Sequence, residues 1–239
     1  MLRARTFDAC YRSTDIDTIR GRRFDTVVCC GAPSEKWRAN RNPEEDRTRL
    51  AVLTRALSEV DASRFVLIST IDVYPHPSGV DEDSVIDASA AQPYGRHRLA
   101  LEEFCRTRFD TTVVRLPGLY GQGLKKNAIF DLLHDRLIDA IPGNGRFQFY
   151  DVDRVWSDVE RIVATGIDIA NITAEPVVMM DVATRVFQRD LPTPWIQSAP
   201  SYDVRSVHAE LVGGRNGYWF NSAEVLDGLA RFVADARAR

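Results

Sequence analysis

Phe65-Val66-Leu67-Ile68-Ser69-Thr70-Ile71-Asp72-Val73-Tyr74 is the stretch on which the reading of this chain turns. Residues 64–69 form a short apolar run of strand length, without polar alternation, as in a strand buried on both faces. It ends on hydroxyl and acidic side chains. Working outward, residues 24–30 (Phe-Asp-Thr-Val-Val-Cys-Cys) repeat the pattern and are closed by Gly31-Ala32-Pro33, and residues 111–116 (Thr-Thr-Val-Val-Arg-Leu) repeat it again. Leu50, Leu53, Ala56, Leu57 and Val60 recur at three- and four-residue spacing, which predicts a helix over 43–60. A helix over 94–108 follows, with Leu99, Leu101, Phe104 and Cys105 as its inner positions. Short buried strands alternating with helices build a parallel sheet covered by helices.

Beyond Gly121-Gln122-Gly123 the character changes. Helices are expected over 127–137, 155–165, 177–187 and 222–236. A Pro142-Gly143-Asn144-Gly145 turn, a short strand over 147–150, an extended stretch over 167–172 and a Pro-rich link over 191–200 lie between them. Ser222 is the expected N-cap of the last helix, with Glu224 and Asp227 favourable to its start. The expected division is an α/β core over 1–123 and a smaller α+β region over 124–239 packed on it.

The 239 residues are 44% hydrophobic and 27% charged, with 14 Gly and 11 Pro, which excludes a disordered, collagenous or disulfide-scaffold chain. A net charge of −3 gives no electrostatic reason to expect nucleic acid or an anionic membrane as partner. No run approaches the ~18–20 apolar residues of a membrane helix, and the first residues carry no apolar signal core, so a cytoplasmic protein is expected. Cys10, Cys29, Cys30 and Cys105 lack metal-ligand spacing and read as reduced thiols. His76, His97, His134 and His208 are scattered, and no Gly-x-Ser-x-Gly elbow is present.

Three segments carry chemistry in order: the stretch quoted above, Pro93-Tyr94-Gly95-Arg96-His97-Arg98, and Val114-Arg115-Leu116-Pro117-Gly118-Leu119-Tyr120-Gly121. Together they resemble the extended short-chain dehydrogenase/reductase superfamily, in particular the NAD-dependent epimerase/dehydratase family that works mostly on nucleotide sugars. The resemblance covers about residues 24–123 and extends more loosely to Phe187. It implies a Rossmann-like, doubly wound α/β fold with 1–123 as its nucleotide-binding core and 124–239 as its substrate-side region, NAD or NADP as cofactor, a nucleotide sugar as substrate, and a homodimer packed through the helices after Pro43 and around 94–108. Thr70 falls on the hydroxyl that bonds the reacting oxygen, and Tyr94 on the acid/base tyrosine, whose phenol must exchange a proton near neutral pH. Arg98 stands where the family keeps a lysine. It retains the charge but replaces an ammonium with a planar fork, which is not an equivalent exchange. Asp72 falls on the acidic position that assists elimination in dehydratases, or it caps the loop. Cys30, Gly31 and Ala32 match the turn beside the adenosine half of the cofactor, with Ser69 at the neighbouring strand end. Pro117, Gly118 and Leu119 match the turn beside the nicotinamide. Asp15-Ile16 resembles the pair that meets adenine, or forms a plain turn.

The family opens with a strand and Gly-x-x-Gly-x-x-Gly, whose amides approach the pyrophosphate, and this sequence has neither. Residues 6–11 (Thr-Phe-Asp-Ala-Cys-Tyr) resemble the second strand and 15–20 its following turn, so the sheet is expected without its central first strand. The second strand then pairs directly with residues 27–30, another chain covers the edge, or the natural start lies upstream of Met1. Two readings of function stay open: an epimerase/dehydratase-like oxidoreductase or isomerase, and a degenerate Rossmann-fold protein serving as a binding or assembly partner. A nucleotide sensor without turnover is a third.

Overall fold

The computed structural model describes residues 7–238 of the chain. Its first half contains β1 (Arg23–Cys29), α1 (Lys36–Arg41), α2 (Pro43–Leu57), β2 (Asp61–Thr70), β3 (Ser78–Val80), α3 (Pro93–Arg108), β4 (Thr111–Leu116) and β5 (Gly118–Tyr120). There follow α4 (Ala128–Leu133), β6 (Arg146–Phe147), β7 (Phe149–Asp151), α5 (Val155–Thr165), β8 (Ile169–Asn171), β9 (Val177–Val178), α6 (Met179–Phe187), β10 (Asp203–Val204) and α7 (Ser222–Arg237). The main sheet is parallel throughout, in the order β1-β2-β4-β8.

Side-chain alternation along the strands divides the sheet's two faces, as the period of two requires. Phe65, Leu67 and Val113 pack on one side with Leu50, Leu53, Leu57 and Leu101 of α2 and α3. Val66, Val114 and Ala170 pack on the other with Val155, Val159 and Ile162 of α5. Helices on both faces of a parallel sheet make this a Rossmann-like α/β fold. A separate core joins Ile129 and Leu132 of α4, Val182 and Val186 of α6, and Leu229 and Val233 of α7. The expected boundary at residue 123 is crossed, because β8 and α5 come from beyond it yet complete the main sheet.

β1 is the sheet's edge, with no strand on its outer side among the described residues. The strand expected over 6–11 does not form where the chain is described, from Phe7 onward; Thr6 lies outside the described residues. The aromatics of that segment are used in packing instead. Phe7 meets Trp156 edge-on at 5.7 Å, and Tyr11 meets Phe24 at 6.1 Å while its hydroxyl accepts from Arg22.

Four other expectations are corrected. The helix over 127–137 stops at Leu133, since Asp135 and Leu137 adopt left-handed φ of 52° and 47°. The strand over 147–150 splits in two around buried Gln148, whose amide bonds the carbonyls of Ala174 and Val204. The helix over 177–187 starts at Met179, because Val177–Val178 pairs with β6. Asn221, not Ser222, caps α7, in a capping box with Glu224 that satisfies two free amides reciprocally.

Candidate active site

Ligands of a doubly wound sheet bind beyond the carboxyl ends of its strands, and Thr70 is the last residue of β2. Its hydroxyl accepts from the Asp72 amide at 3.1 Å and so caps the short turn Ile71–Val73. The first turn of α3 presses on that turn. A Cβ built on Gly95 would lie 2.0 Å from the Asp72 carbonyl oxygen, so only a residue without a side chain permits this approach. The approach sets Tyr94 beside Thr70, and the Tyr94 amide is held at 2.9 Å by the Asn40 side chain of α1. Gly95→Ala is therefore expected to force the helix and the turn apart, costing about 1–3 kcal/mol as overpacking does. Chemical denaturation checks this, and an unchanged midpoint would contradict the close approach.

Tyr94 is buried, and burial pushes its phenol above the ordinary range; Asp72 adds to the rise, while Arg98, Thr70 and Lys36 oppose it. Arg98 lies over the Tyr94 ring, 4.3 Å from its centre. Its guanidinium is engaged elsewhere. Both terminal nitrogens bond the Asp46 carboxylate, one of them at 2.9 Å, and one also donates to the Pro33 carbonyl. Its Nε has no hydrogen-bond partner among the described residues. Asp46, 4% exposed, also takes His97 Nδ1 at 2.8 Å.

Arg98 and Glu102 thus occupy inner positions of α3 together with Leu101 and Cys105, whereas Leu99 and Phe104 are half-buried. Glu102 forms a buried ion pair with Arg115 at 2.7 Å, and the Ser69 hydroxyl donates to the same carboxylate. The Ser69 side chain is therefore taken by Glu102.

Asp72 is met by two groups that the sequence did not suggest. Lys36, the first residue of α1, places Nζ 2.7 Å from Asp72 Oδ1 and 2.9 Å from the Tyr202 hydroxyl. Tyr202 itself donates to Asp72 Oδ1 at 2.9 Å. It arrives from the far end of the chain, with its ring stacked on Phe147 and its backbone bonded to Arg146, just before β10 pairs with β3. Burial favours the neutral amine form of Lys36, but Asp72 and Tyr202 outweigh it and raise the pKa; burial and Asp72 likewise raise Tyr202 against the opposing Lys36. Lys126 reaches across to the Ser34 carbonyl, next to the one that Arg98 holds.

The remaining candidates divide by position. Cys30, Gly31 and Ala32 follow β1 at the carboxyl edge, where Gly31 faces Leu53. Pro117, Gly118 and Leu119 follow β4, and Gly118–Tyr120 is drawn into a parallel pair with Phe149–Asp151. Asp15 and Ile16 are not brought to this edge. They open the turn that feeds the amino end of β1, with Asp15 bonding Arg12 and Thr18 and Ile16 packing against the core. One signal for the missed pair was available: Asp46 lies four residues before Leu50 and seven before Leu53, on the helix's apolar stripe, where a charge calls for a buried partner.

Several solved structures share this architecture. MoeE5, in complex with UDP-glucuronic acid and NAD, matches with a TM-score of 0.69 and 19% identity, over 95% of this chain and 84% of that one. A dTDP-4-dehydrorhamnose reductase from Clostridium acetobutylicum gives 0.70 and 16%, over 95% and 86%. The dTDP-glucose 4,6-dehydratase DesIV from Streptomyces venezuelae gives 0.71 and 17%, over 95% and 77%. No curated protein matches the sequence. The family model described as the NAD dependent epimerase/dehydratase family matches residues 4–142, more than half of the chain and all of the segment that carries Thr70, Tyr94 and Arg98. The chain belongs to the NAD-dependent epimerase/dehydratase family.

Proposed function

We propose that the chain is an NAD(P)-dependent oxidoreductase or isomerase of a nucleotide sugar, with Tyr94 as its acid/base residue and Thr70 as the hydroxyl partner. One observation carries this reading: Tyr94 and Thr70 meet at the carboxyl edge of the parallel sheet in a chain of this family. The residues present fit the cofactor at its reactive end. Pro117, Gly118 and Leu119 would flank the nicotinamide, Cys30, Gly31 and Ala32 the adenosine side, and Ser69 would contribute its backbone. The 239 residues contain no Gly-x-x-Gly-x-x-Gly.

When bound, the cofactor supplies hydride transfer to or from a sugar carbon. The chain moves the accompanying proton. Because burial keeps the Tyr94 phenol protonated, it gives its proton to a carbonyl oxygen as that carbonyl is reduced, and Thr70 bonds the same oxygen. Asp72 stands beside them as a second proton-transfer group. A homodimer through the outer faces of α2 and α3 belongs to the same proposal.

A second reading, a family member that has left catalysis and acts as a binding or assembly partner, is favoured by the engagement of Arg98 with Asp46 and Pro33. Calorimetric titration with NAD(H) and NADP(H), followed by product analysis on a panel of UDP- and dTDP-sugars, separates the two. Binding of one dinucleotide with turnover of one sugar is expected. Neither binding nor turnover by the wild type would sink the enzyme reading.

A further inference from the structure

Lys36 is one of three lysines, with Lys125 and Lys126, in a chain holding 31 Lys and Arg residues. Arginine is this sequence's ordinary cation, so an ammonium at the carboxyl edge is a departure from its own usage. The geometry gives that departure a use. Of the two cations that act on the Tyr94 phenol, Arg98 has both terminal nitrogens committed to Asp46 and to the Pro33 carbonyl. Lys36 has three N–H donors, of which Asp72 and Tyr202 take two. Its side chain is 43% exposed, that of Asp72 19%, so the pair faces the space where a ligand would meet Tyr94.

The three groups are cross-linked. Lys36 donates to Asp72 and Tyr202, and Tyr202 donates to the same Asp72 oxygen, so one carboxylate oxygen is fixed by two partners from opposite ends of the chain. An ammonium placed on a carboxylate favours its charged form and restrains its rotation.

We propose that Lys36 and Tyr202 are positioning residues that lock the Asp72 carboxylate beside Tyr94 and Thr70, with Lys36 as the cation that serves proton transfer at this site. The assignment rests on the oxidoreductase reading given above and adds to it the residues that hold its second proton-transfer group. Among the described residues Asp72, Tyr202, Tyr94 and Arg98 are the titratable or charged groups that face the cluster.

Lysine labelled with ¹³C at Cε yields three signals to follow by NMR, assigned through Lys36→Arg. In the wild type the Lys36 signal is expected to titrate above that of Lys126, and in Asp72→Asn and Tyr202→Phe to move back down. In turnover assays Lys36→Met is expected to lower kcat by about tenfold to a hundredfold with KM little changed. Lys36→Arg, which keeps the charge, is expected to recover most of the lost kcat.

The outcomes separate the two claims. A wild type that turns over while Lys36→Met matches it in kcat overturns the role of Lys36 alone. A Lys36 signal that ignores Asp72→Asn overturns the cluster. A wild type without turnover, its Lys36 titrating as described, sinks the oxidoreductase reading and reduces the cluster to a structural ion pair.

Discussion

Asp46→Ala is expected to lower the free energy of unfolding by about 3–5 kcal/mol, the cost of removing one partner of a buried ion pair. Arg98, 2% exposed, would then be left with the Pro33 carbonyl alone, and His97 would lose its acceptor. Asp46→Asn keeps the shape and one acceptor, so its loss is expected to be smaller. The double variant Asp46→Ala with Arg98→Met removes both charges and is expected to recover part of the loss, because an apolar pair carries no unpaired buried charge.

The effect has a defined pH dependence. Burial alone would raise the Asp46 pKa, but hydrogen bonds from Arg98 and His97 outweigh it and hold the carboxyl below its ordinary value. The folded value thus lies below the unfolded one, about 3.9. Stability from the pair is complete above the unfolded value and is lost as pH falls through the folded value. Urea unfolding at neutral pH should therefore separate wild type from Asp46→Ala widely, and unfolding in strong acid should bring the two together. Equal midpoints at neutral pH would contradict the pairing.

The pair also shows why one part of the site was readable and another was not. The strands and covering helices follow from local patterns: apolar runs such as Phe65-Val66-Leu67-Ile68 and the stripe Leu50, Leu53, Ala56, Leu57 need no distant partner to be recognised. The placement of Thr70 and Tyr94 side by side was legible because the residues that place them, the end of β2 and Gly95, lie in recognisable segments. Lys36 and Tyr202 were not, since they are brought together from positions 166 residues apart by the pairing of β10 with β3. Asp15 and Ile16 fail for a related reason. A two-residue pair takes its function from the strand that precedes it, and here no strand forms from Phe7 to Tyr11 to carry the pair to the carboxyl edge. Arg98 is the intermediate case: its position in the motif was legible, but its occupation by Asp46 depends on α2 lying against α3.

Tyr94→Phe is expected to lower turnover by about 10²–10⁴-fold, the usual contribution of a positioned acid or base, while leaving the fold and melting temperature close to wild type. The ring accounts for the packing, since Arg98 stacks on its face and Gly95 sets its helix against the Asp72 turn, and phenylalanine keeps that ring. The hydroxyl accounts for the chemistry. With burial raising the phenol above its ordinary value of about 10, the group stays protonated through the neutral range, and Thr70 is the partner that steadies it. In the direction of carbonyl reduction the wild-type rate should hold without an alkaline limb up to about pH 10, because the acid does not ionise below that. An early fall in rate would mean that a different acid gives the proton. A Phe variant that keeps wild-type turnover would remove Tyr94 from the reaction, and with it the argument that the meeting of Tyr94 and Thr70 is what this sheet edge is built to achieve.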